Sequence, residues 1–308
     1  DAVVQNKRII IVGDFDADGA TSTSVCILAL RAMGYQNVDF LVPNRFDFGY
    51  GLSVPIVDEA AKQRAEVIVT VDNGISCIDG VTHAKSLGMQ VVVTDHHLPG
   101  DVLPPADAIV NPNQPGCEFP SKKLAGVGVA FYIMLALKAE LQQQGHFERA
   151  GLAPPNLASL LDIVAVGTVA DVVVLDKNNR ILVHQGLQRI RAGKCRPGIK
   201  ALVEVANRDC AHLTSTDLGF VVGPRLNAAG RLDDMSQGIA CLLEDETIQA
   251  RMIAAELDAL NKERREIETG MKAQAETVLE QMALDEGDMP SALVVYREDF
   301  HQGVIGIV

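Results

Sequence analysis

The sequence contains no uninterrupted apolar run of the roughly 18 residues that a membrane-spanning helix requires. Its first residues, Asp1-Ala2-Val3-Val4, lack the basic and then apolar order of a secretory signal. The six cysteines are scattered and form no Cys-x-x-Cys pair, which argues against structural zinc or a redox couple and predicts reduced thiols. These absences predict a globular cytoplasmic protein, and 308 residues suffice for a substantial core.

Positive charge is also scarce. Only 27 Lys and Arg stand against 40 Asp and Glu, which gives a net charge of -13. Because phosphate contacts draw on Lys and Arg, this balance argues against a protein that binds nucleic acid over its whole surface. A local site remains compatible with it, since bound metal ions can supply the positive potential that a phosphate meets.

Short β-branched runs alternate with helical patterns in the first hundred residues, an order typical of βαβ units around a parallel sheet. The almost wholly apolar runs, typical of strands covered on both faces, predict strands at 8–12, 38–42, 67–71, 91–94 and 108–110. Helices are predicted at 20–33, 54–63 and 78–86, where Gly34 and Gly88 stand as C-terminal stops. The predicted fold class is α/β, with a parallel five-stranded sheet flanked by helices.

The remainder of the chain is predicted to be mainly helical. Apolar residues recur at helical spacing over 127–144, 157–166, 178–191 and 198–206. The proline-free segment 246–282 would span roughly 55 Å as a helix, so we expect a connector between domains. A new strand is predicted at 292–296, and we expect the chain to be cut inside a second α/β domain.

Three carboxylates occupy alternating positions directly after the first predicted strand, at Asp14, Asp16 and Asp18. Such crowding is costly unless a cation neutralises it. The alternative is a solvated acidic turn with helix-capping aspartates. A helix begins immediately afterwards, so its anion-favouring N-terminus also faces the cluster.

Two further predicted strands end in side chains of the same kind. Asp72 follows the third strand, and Asp95, His96 and His97 follow the fourth. Because parallel strands have their carboxyl ends at one edge, where open α/β sheets bind ligands, the three clusters are predicted to converge. Taken singly, Asp72 is equally well a turn former and the histidines are surface or core residues; taken together, they favour a site.

An oxygen-rich site with one or two imidazoles and no thiolate suits Mn²⁺ or Mg²⁺. Paired ions of this kind stabilise the attacking and leaving oxygens of a phosphoryl displacement, so hydrolysis of a phosphate ester is the leading predicted chemistry. A serine or cysteine nucleophile has no support, because the sequence contains no Gly-x-Ser-x-Gly elbow. Asn111, after the fifth strand, either lines the same edge or forms a turn with Pro112.

These motifs, in this order, resemble a known family. Asp16-Ala17-Asp18, Asp72-Asn73-Gly74 and Asp95-His96-His97 resemble the first three motifs of the DHH phosphoesterases, and Val169-Ala170-Asp171 resembles the fourth. Within that superfamily, similarity to the RecJ family of single-stranded-DNA exonucleases is strongest over 12–21, 42–53, 94–99, 124–131 and 223–235. The similarity covers essentially the whole chain.

The resemblance implies a metal centre with one or two ions, Mn²⁺ or Mg²⁺. The implied ligands are Asp14, Asp16, Asp18, Asp72, His96 and Asp171. Asp72 is implied to bridge the two ions. Asp16 would bind the second ion together with Asp72, and Asp14 would contribute to the same position. Asp171 has no signal of its own, because it follows an apolar helix as any capping residue does. Pyrophosphatase relatives carry a histidine where Val12 stands, which implies a weaker second ion and disfavours that activity.

The catalytic residues implied are Asp95, His96 and His97. Asp95 is expected to orient an imidazole, and His97 is expected to face the phosphate or its attacking water. Further side chains are expected to contact substrate: Arg45, Asn111, Arg225, Asn227 and Arg231. An equally good explanation of Arg45 is that it lies in a glycine-rich surface turn. An equally good explanation of Arg225 and Arg231 is an interdomain salt bridge.

The resemblance further implies a metal-dependent 5′-to-3′ exonuclease acting on single-stranded DNA in repair and recombination. The expected partners are single-stranded DNA, a helicase and single-strand-binding protein, and the expected state is a monomer. The implied domains are a DHH catalytic domain at 1–235, a connector region at 236–288 and the truncated start of a DHHA1-like domain at 289–308. A phosphodiesterase for short oligonucleotides or cyclic dinucleotides and a catalytically silent replication scaffold are the alternatives.

Overall fold

A computed structural model describes residues 1–44, 48–281, 292 and 294–307. Its five strands are all parallel and form one sheet in the order β2-β1-β3-β4-β5. They are β1 Ile9–Gly13, β2 Val38–Leu41, β3 Val67–Val71, β4 Gln90–Thr94 and β5 Ala108–Val110. The predicted fold class is confirmed, and the predicted strands differ from these by no more than one residue at either end.

Helices account for most of the remaining described residues. Those associated with the sheet are α1 Ala17–Ala32, α2 Val54–Lys62 and α3 Ile78–Ser86. Those that follow it are α4 Gly126–Gln143, α5 His146–Ala150, α6 Leu161–Ala170, α7 Lys177–Arg191, α8 Pro197–Val205, α9 Ser215–Asp217, α10 Gly223–Leu232, α11 Ser236–Leu243 and α12 Thr247–Gln281. Gly34 and Gly88 adopt left-handed backbone angles just after α1 and α3, as predicted for C-terminal stops.

The strands are apolar on both faces because helices cover both sides of the sheet. Ile9 and Ile11 point toward the side of α1, α4 and α6, where most of the hydrophobic core lies. Ile10 and Val12, on the alternate positions, join a smaller core with α2 and α3. The sheet is therefore the middle layer of three.

The strand order sets the position of the functional edge. The chain runs from β1 outward to β2 on one side and then returns to β3 on the other side of β1. Connections on opposite sides of β1 open a crevice at the carboxyl ends of β1 and β3, which is where such sheets bind ligands. The loops after β1, β3 and β4 all lie at this edge.

Three expectations about the later chain need correction. The segment predicted as a helix at 157–166 begins as a 3₁₀ turn, Leu157–Leu160, and continues as α6 to Ala170. Helix α12 is not only a connector, since Ala250, Ala254 and Leu257 are buried against α8, α10 and α11. In the predicted strand 292–296, residues 292 and 294–296 lie outside any helix or strand, and 293 lies outside the described residues.

No helix in the described ranges combines the length and the apolar character needed to cross a bilayer. The six cysteines are free thiols, as predicted.

Two helix glycines give a matched test of this packing. A methyl group on Gly186 of α7 would collide with the carbonyl oxygen of Leu161 and with the side chain of Ala165, whereas one on Gly270 of α12 would meet nothing within 4 Å. Alanine favours a helix over glycine by about 0.5–1 kcal/mol. Gly270→Ala should therefore raise the free energy of unfolding slightly, while Gly186→Ala should lower it by about 1–3 kcal/mol through overpacking.

Urea unfolding of both variants measures the difference. Equal midpoints for Gly186→Ala and the parent protein would contradict the close approach of α6 and α7.

Candidate metal centre

The loop after β1 presents its three carboxylates in different ways. Asp14 is buried, and its Oδ1 accepts a hydrogen bond from the backbone N–H of Phe15 at 2.7 Å. Asp16 is the N-cap of α1 and accepts from the N–H of Gly19 at 2.9 Å, so the alternative of a capping aspartate is also realised. Asp18 lies in the first turn of α1 and points into the crevice.

Helix α4 holds the carboxylate of Asp18 in place. The N–H groups of Gly126 and Val127 donate to Asp18 Oδ2 and Oδ1 at 2.5 and 2.9 Å. These are N–H groups of the first turn of α4, which have no partner within their own helix. The two bonds and the positive end of the helix stabilise a charge that burial makes expensive.

The loop after β3 is equally constrained. Asp72 adopts a left-handed backbone conformation with a φ of 63°, and its N–H donates to the carbonyl of Thr94 at 3.1 Å. Asn73 is buried and donates to the carbonyls of Val12 and Val71 at 3.1 and 2.9 Å. These bonds tie the ends of β1 and β3 together and fix the loop from which Asp72 projects.

His96 and three aspartates converge on one point. Nε2 of His96 lies 3.0 Å from Asp72 Oδ1, 3.6 Å from Asp171 Oδ2 and 3.9 Å from Asp18 Oδ2. Asp171 comes from the C-terminal end of α6, far from the other three in sequence. The structure thus brings together the four side chains that the family resemblance groups around one ion.

Three of these atoms have no hydrogen-bond partner although they are buried: Asp72 Oδ1, His96 Nε2 and Asp171 Oδ2. His96 Nε2 and Asp72 Oδ1 are close but are not aligned for a hydrogen bond. Buried polar atoms are rarely left in this state, and a shared cation would satisfy all three. The oxygen-rich donor set with one imidazole fits Mn²⁺ or Mg²⁺.

A second group of ligand atoms adjoins the first. One ligand atom from each of Asp14, Asp16 and Asp72 lies within 4.8 Å of the other two, and so do those of Asp18, His96 and Asp171. Asp72, whose Oδ1 is 3.0 Å from His96, lies between the groups. Two neighbouring ion positions that share Asp72 are compatible with this arrangement, while Val12 contributes no ligand.

Asp95 and His97 form a hydrogen-bonded pair beside these ligands, and a ring nitrogen of His97 also lies within 4.8 Å of ligand atoms of Asp72 and His96. Asp95 is buried, accepts from the N–H of Ile75 at 2.9 Å, and lies 2.7 Å from Nδ1 of His97. Burial opposes its ionisation, but the hydrogen bonds from His97 and Ile75 hold the pKa of Asp95 below its usual value. Asp95 therefore orients His97 rather than His96, and the His97 side chain remains 47% exposed at the mouth of the site.

The crowded carboxylates retain protons far above their usual range. Burial, reinforced by the charge of Asp16, raises the pKa of Asp18 to about 7. Burial and the neighbouring charges of Asp18 and Asp16 raise the pKa of Asp171 to about 8, and the pKa of Asp72 is also raised. In contrast, burial lowers the pKa of His96, which keeps its Nε2 available as a ligand.

Two glycines are required where the chain passes close to the ligands. A Cβ on Gly126 would lie 2.7 Å from the Cβ and Oδ1 of Asp72. A Cβ on Gly167 of α6 would collide with Thr21 and come within 3.1 Å of Asp18 Oδ1. Gly167 has no local signal in the sequence, because its role depends on the packing of α6 against α1.

The predicted substrate contacts have varied environments. Asn111 is buried and donates to the carbonyl of His97 at 2.9 Å, so it fixes the loop that carries the histidines. Arg225 is paired with Asp258 of α12 at 2.7 Å, which realises the salt-bridge alternative. Asn227 accepts from the N–H of Ala17 at 2.7 Å, and Arg231 donates to the carbonyl of Gly303 at 3.0 Å. Arg45 lies outside the described residues.

Two side chains near the site were not singled out from the sequence. Tyr50 is 51% exposed, and its ring centroid is 6.3 Å from that of His97 and 5.9 Å from that of Phe15. Asn113 donates to the carbonyl of His96 at 2.6 Å. The aromatic residue in a glycine-rich loop was a usable signal for Tyr50, whereas Asn113 resembles any turn asparagine.

Fold and ligand set together define a class: α/β proteins with an acidic, histidine-containing centre for divalent ions at the switch point of a parallel sheet. The DHH family, N-terminal domain, matches residues 8–168. Together with the relatives described next, this match establishes that the chain belongs to the DHH family and, within it, to the RecJ group.

Relatives of known name are similar over almost the entire chain. The single-stranded-DNA-specific exonuclease RecJ of Salmonella typhimurium is 62% identical over 304 residues, which cover 99% of this chain and 53% of that protein. A crystal structure of exonuclease RecJ bound to manganese superposes with a TM-score of 0.82 at 35% identity, over 99% of this chain and 72% of that one. RecJ from Thermus thermophilus in complex with Mg²⁺ gives a TM-score of 0.70 at 31% identity, over 99% and 38% of the two chains. The chain spans about half the length of the curated relatives it matches.

The raised carboxylate pKa values predict how stability depends on pH. Asp171, with a pKa of about 8, and His97, whose hydrogen bond with Asp95 raises its pKa to about 9, hold protons in the folded protein that the unfolded chain has released. The stabilisation that each proton gives is complete below the pKa that its group has in the unfolded chain. It is lost as the pH rises through the pKa of the same group in the folded protein. Between pH 7 and 8.5 the metal-free protein should therefore lose stability, by up to about 1.4 kcal/mol per pH unit for the Asp171 proton and by less for the proton of the half-exposed His97, which solvent screens.

Saturating Mn²⁺ should reduce this loss, because the ion displaces the protons from its ligands. Asp171→Asn should flatten the slope in metal-free protein, which urea unfolding at several pH values measures. His96 is neutral in both states above about pH 7.5, so it does not offset the trend. A metal-free stability that rises from pH 7 to 8.5 would contradict the proposed proton retention.

Proposed function

We propose that this protein is a metal-dependent exonuclease that hydrolyses the phosphodiester bonds of single-stranded DNA, with 5′-to-3′ polarity, in DNA repair and recombination. The observation that carries the proposal is the convergence of unpartnered Asp72 Oδ1, His96 Nε2 and Asp171 Oδ2 beside buried Asp18. The names of the similar RecJ proteins support the choice of a single strand as substrate. We further propose a cytoplasmic monomer that works with a helicase and single-strand-binding protein.

The ligand assignment follows from the two groups of side chains. Asp18, Asp72, His96 and Asp171 would hold one ion, and Asp14, Asp16 and Asp72 a second. Manganese and magnesium in the similar RecJ structures support Mn²⁺ or Mg²⁺. When bound, such ions lower the pKa of water and offset the charge that develops on the phosphoryl group.

We infer that His97 acts on the phosphate rather than on an ion. Its hydrogen bond with Asp95 raises its pKa to about 9, so the ring is a cation at neutral pH in the metal-free protein. Asp95 also accepts from two backbone N–H groups of the same loop, those of His96 and His97, which fixes the ring direction. We propose that His97 donates a hydrogen bond to a phosphate oxygen, where charge increases as the bond to the leaving oxygen breaks.

The mouth of the site suits an unpaired base. Tyr50 exposes about half of its surface beside His97, and an aromatic ring there can stack on a base once the strand's phosphate reaches the centre. Arg45, five residues before Tyr50 in the sequence, and Arg231, on α10, are proposed as phosphate contacts. Asn111 and Asn227 are proposed to act indirectly, because they hold the loops that carry the histidines and the first aspartates, and so is Arg225, because Asp258 neutralises its charge.

Loss of the bridging carboxylate should abolish catalysis. Asp72→Ala removes the ligand common to both ion positions, so Mn²⁺-dependent cleavage should fall by about 10³-fold or more. The assay uses a long 5′-phosphorylated single strand and the longest natural form of the protein. Asp101→Ala, which removes an exposed aspartate, is the control and should cleave at the parent rate. Retained activity in Asp72→Ala would refute the assignment.

The same assay with a dinucleotide separates the leading proposal from a short-oligonucleotide phosphodiesterase. An exonuclease should prefer the long strand, while a dinucleotide enzyme should prefer the short one. Calorimetric titration with Mn²⁺ separates both from a silent scaffold, which should bind no ion at the strand ends.

The adjacent histidines should differ in which step they affect. His96→Gln removes a proposed metal ligand and should weaken Mn²⁺ binding by about 10- to 100-fold. His97→Gln leaves the ligands in place and should lower kcat by about 10²-fold while Mn²⁺ affinity stays within about threefold. Calorimetry and steady-state kinetics on both variants measure the two effects. Equal losses of metal affinity would show that His97 is a ligand instead.

A further inference from the structure

A pocket of about 580 Å³ opens between α10, α12 and the π-helical turn Leu218–Val222. Five of the residues that line it carry the argument: Phe220, Asn227, Arg231, Arg264 and Arg265. Three arginines and one carboxylate, Glu268, line it, so this concavity carries local positive charge in a chain whose net charge is -13. The pocket is distinct from the metal centre, which is lined by carboxylates.

The walls of the pocket are held by ion pairs outside it. Arg225 of α10 donates through Nη2 and Nε to Asp258 of α12 at 2.7 and 2.9 Å, and Lys262 contacts the same carboxylate at 2.8 Å. These contacts fix the two helices relative to each other. The arginines of the pocket are therefore presented on a rigid support, which reduces the entropy lost on binding a ligand.

The positive charge in the pocket is only partly neutralised. Arg264 is largely buried and pairs with Glu268 at 2.5 Å, and it also donates to Asn261 at 2.9 Å. Arg265 is exposed on the same helix, and no ion pair to it occurs among the described residues. Burial lowers the pKa of Arg264, and the charge of Arg265 acts in the same direction, so the two guanidinium groups repel each other. An anion between the arginines would relieve that repulsion, and their planar groups match a phosphate.

An aromatic ring stands at the same opening. Phe220 is 74% exposed, which is high for a large apolar side chain, and it lies in the π-helical turn. π-helical turns are frequent at functional sites. An exposed ring beside arginines is the combination that binds single-stranded nucleic acid, because the ring stacks on a base while the cations contact the backbone.

Asn227 connects this pocket to the metal centre. It lines the pocket, and its Oδ1 accepts the N–H of Ala17, the residue between Asp16 and Asp18. The neighbouring Gly230 packs so closely on the backbone of Phe15 that a Cβ would collide with its carbonyl oxygen. A ligand in the pocket would therefore lie one helix away from the loop after β1.

We propose that this pocket binds one nucleotide of the single strand next to the metal centre, with Arg265 and Arg231 on its phosphate and Phe220 against its base. The proposal rests on the proposed function, because the strand is its substrate. It adds α12 and the turn before α10 to the surface that positions the strand.

Binding of a fluorescein-labelled single strand, measured by anisotropy in EDTA at several salt concentrations, tests the pocket. Arg265→Gln should weaken binding about 3- to 10-fold and reduce the salt slope by about 0.7, the value for one lost phosphate contact on a single strand. Phe220→Ala should weaken binding by about 5- to 100-fold without changing that slope. Phe220→Tyr, which keeps an aromatic ring, should bind the strand as the parent protein does.

Arg251→Gln is the matched control. It makes the same change of charge on the same helix, roughly 21 Å away along the axis, where Arg251 pairs with Glu204. It should bind the strand as the parent protein does. Identical salt slopes for the Arg265 and Arg251 variants would overturn the proposal.

Calorimetry with inorganic phosphate alone distinguishes a free anion from the strand. If Arg265→Gln lost phosphate binding but bound the strand normally, the pocket would belong to a free anion, and the proposal would also be overturned. Normal strand binding by Arg265→Gln together with loss of cleavage by Asp72→Ala would reject this pocket and leave the nuclease assignment intact. A parent protein that neither binds nor cleaves the strand would reject both.

Discussion

Repulsion between buried carboxylates is the constraint on which the rest of this structure depends. Asp18 and Asp72 are almost fully buried, and Asp171 lies beside them. Among the described residues, none of the three pairs with a lysine or arginine; the group within 4 Å of all three is the imidazole of His96, whose pKa burial lowers. Charges so placed must be neutralised by protons or by cations, because burial of unpaired ions costs several kcal/mol each. The same feature that destabilises the metal-free fold therefore creates affinity for divalent ions.

The backbone around these carboxylates is shaped to keep them close. Asp72 occupies a left-handed conformation that costs an ordinary residue about 1 kcal/mol or more. Asn73 offsets this strain with two bonds that join the ends of β1 and β3, and Gly126 leaves room for the side chain of Asp72. Strain, close approach and buried charge occur at the same edge of the sheet. At this edge, residues adopt locally unfavourable conformations because the ligand site requires them.

The parts of the fold and of the site that could be predicted are those with a signal in the local sequence. The strands, the helix stops at Gly34 and Gly88 and the clusters at three strand ends follow from apolar runs and the geometry of a parallel sheet. Asp171 and Gly167 do not, because their roles depend on α6 packing against α1, a contact between distant parts of the chain. Arg225 shows the converse: the family resemblance implied contact with substrate, with a salt bridge as the alternative, and Asp258, 33 residues later, determines its partner.

The acidic composition also acquires a physical meaning from this arrangement. With a net charge of -13, most of the surface repels a polyanion, so a strand gains favourable contacts only where cations are concentrated. Cationic groups adjoin the ion site at two places: His97 at its mouth, and the arginines of α10 and α12 behind the loop after β1. Repulsion by the rest of the protein surface would then limit non-specific binding of a strand outside these places. Excess negative charge, which argues against binding of nucleic acid over the whole surface, would thus help to define a single path for the proposed substrate.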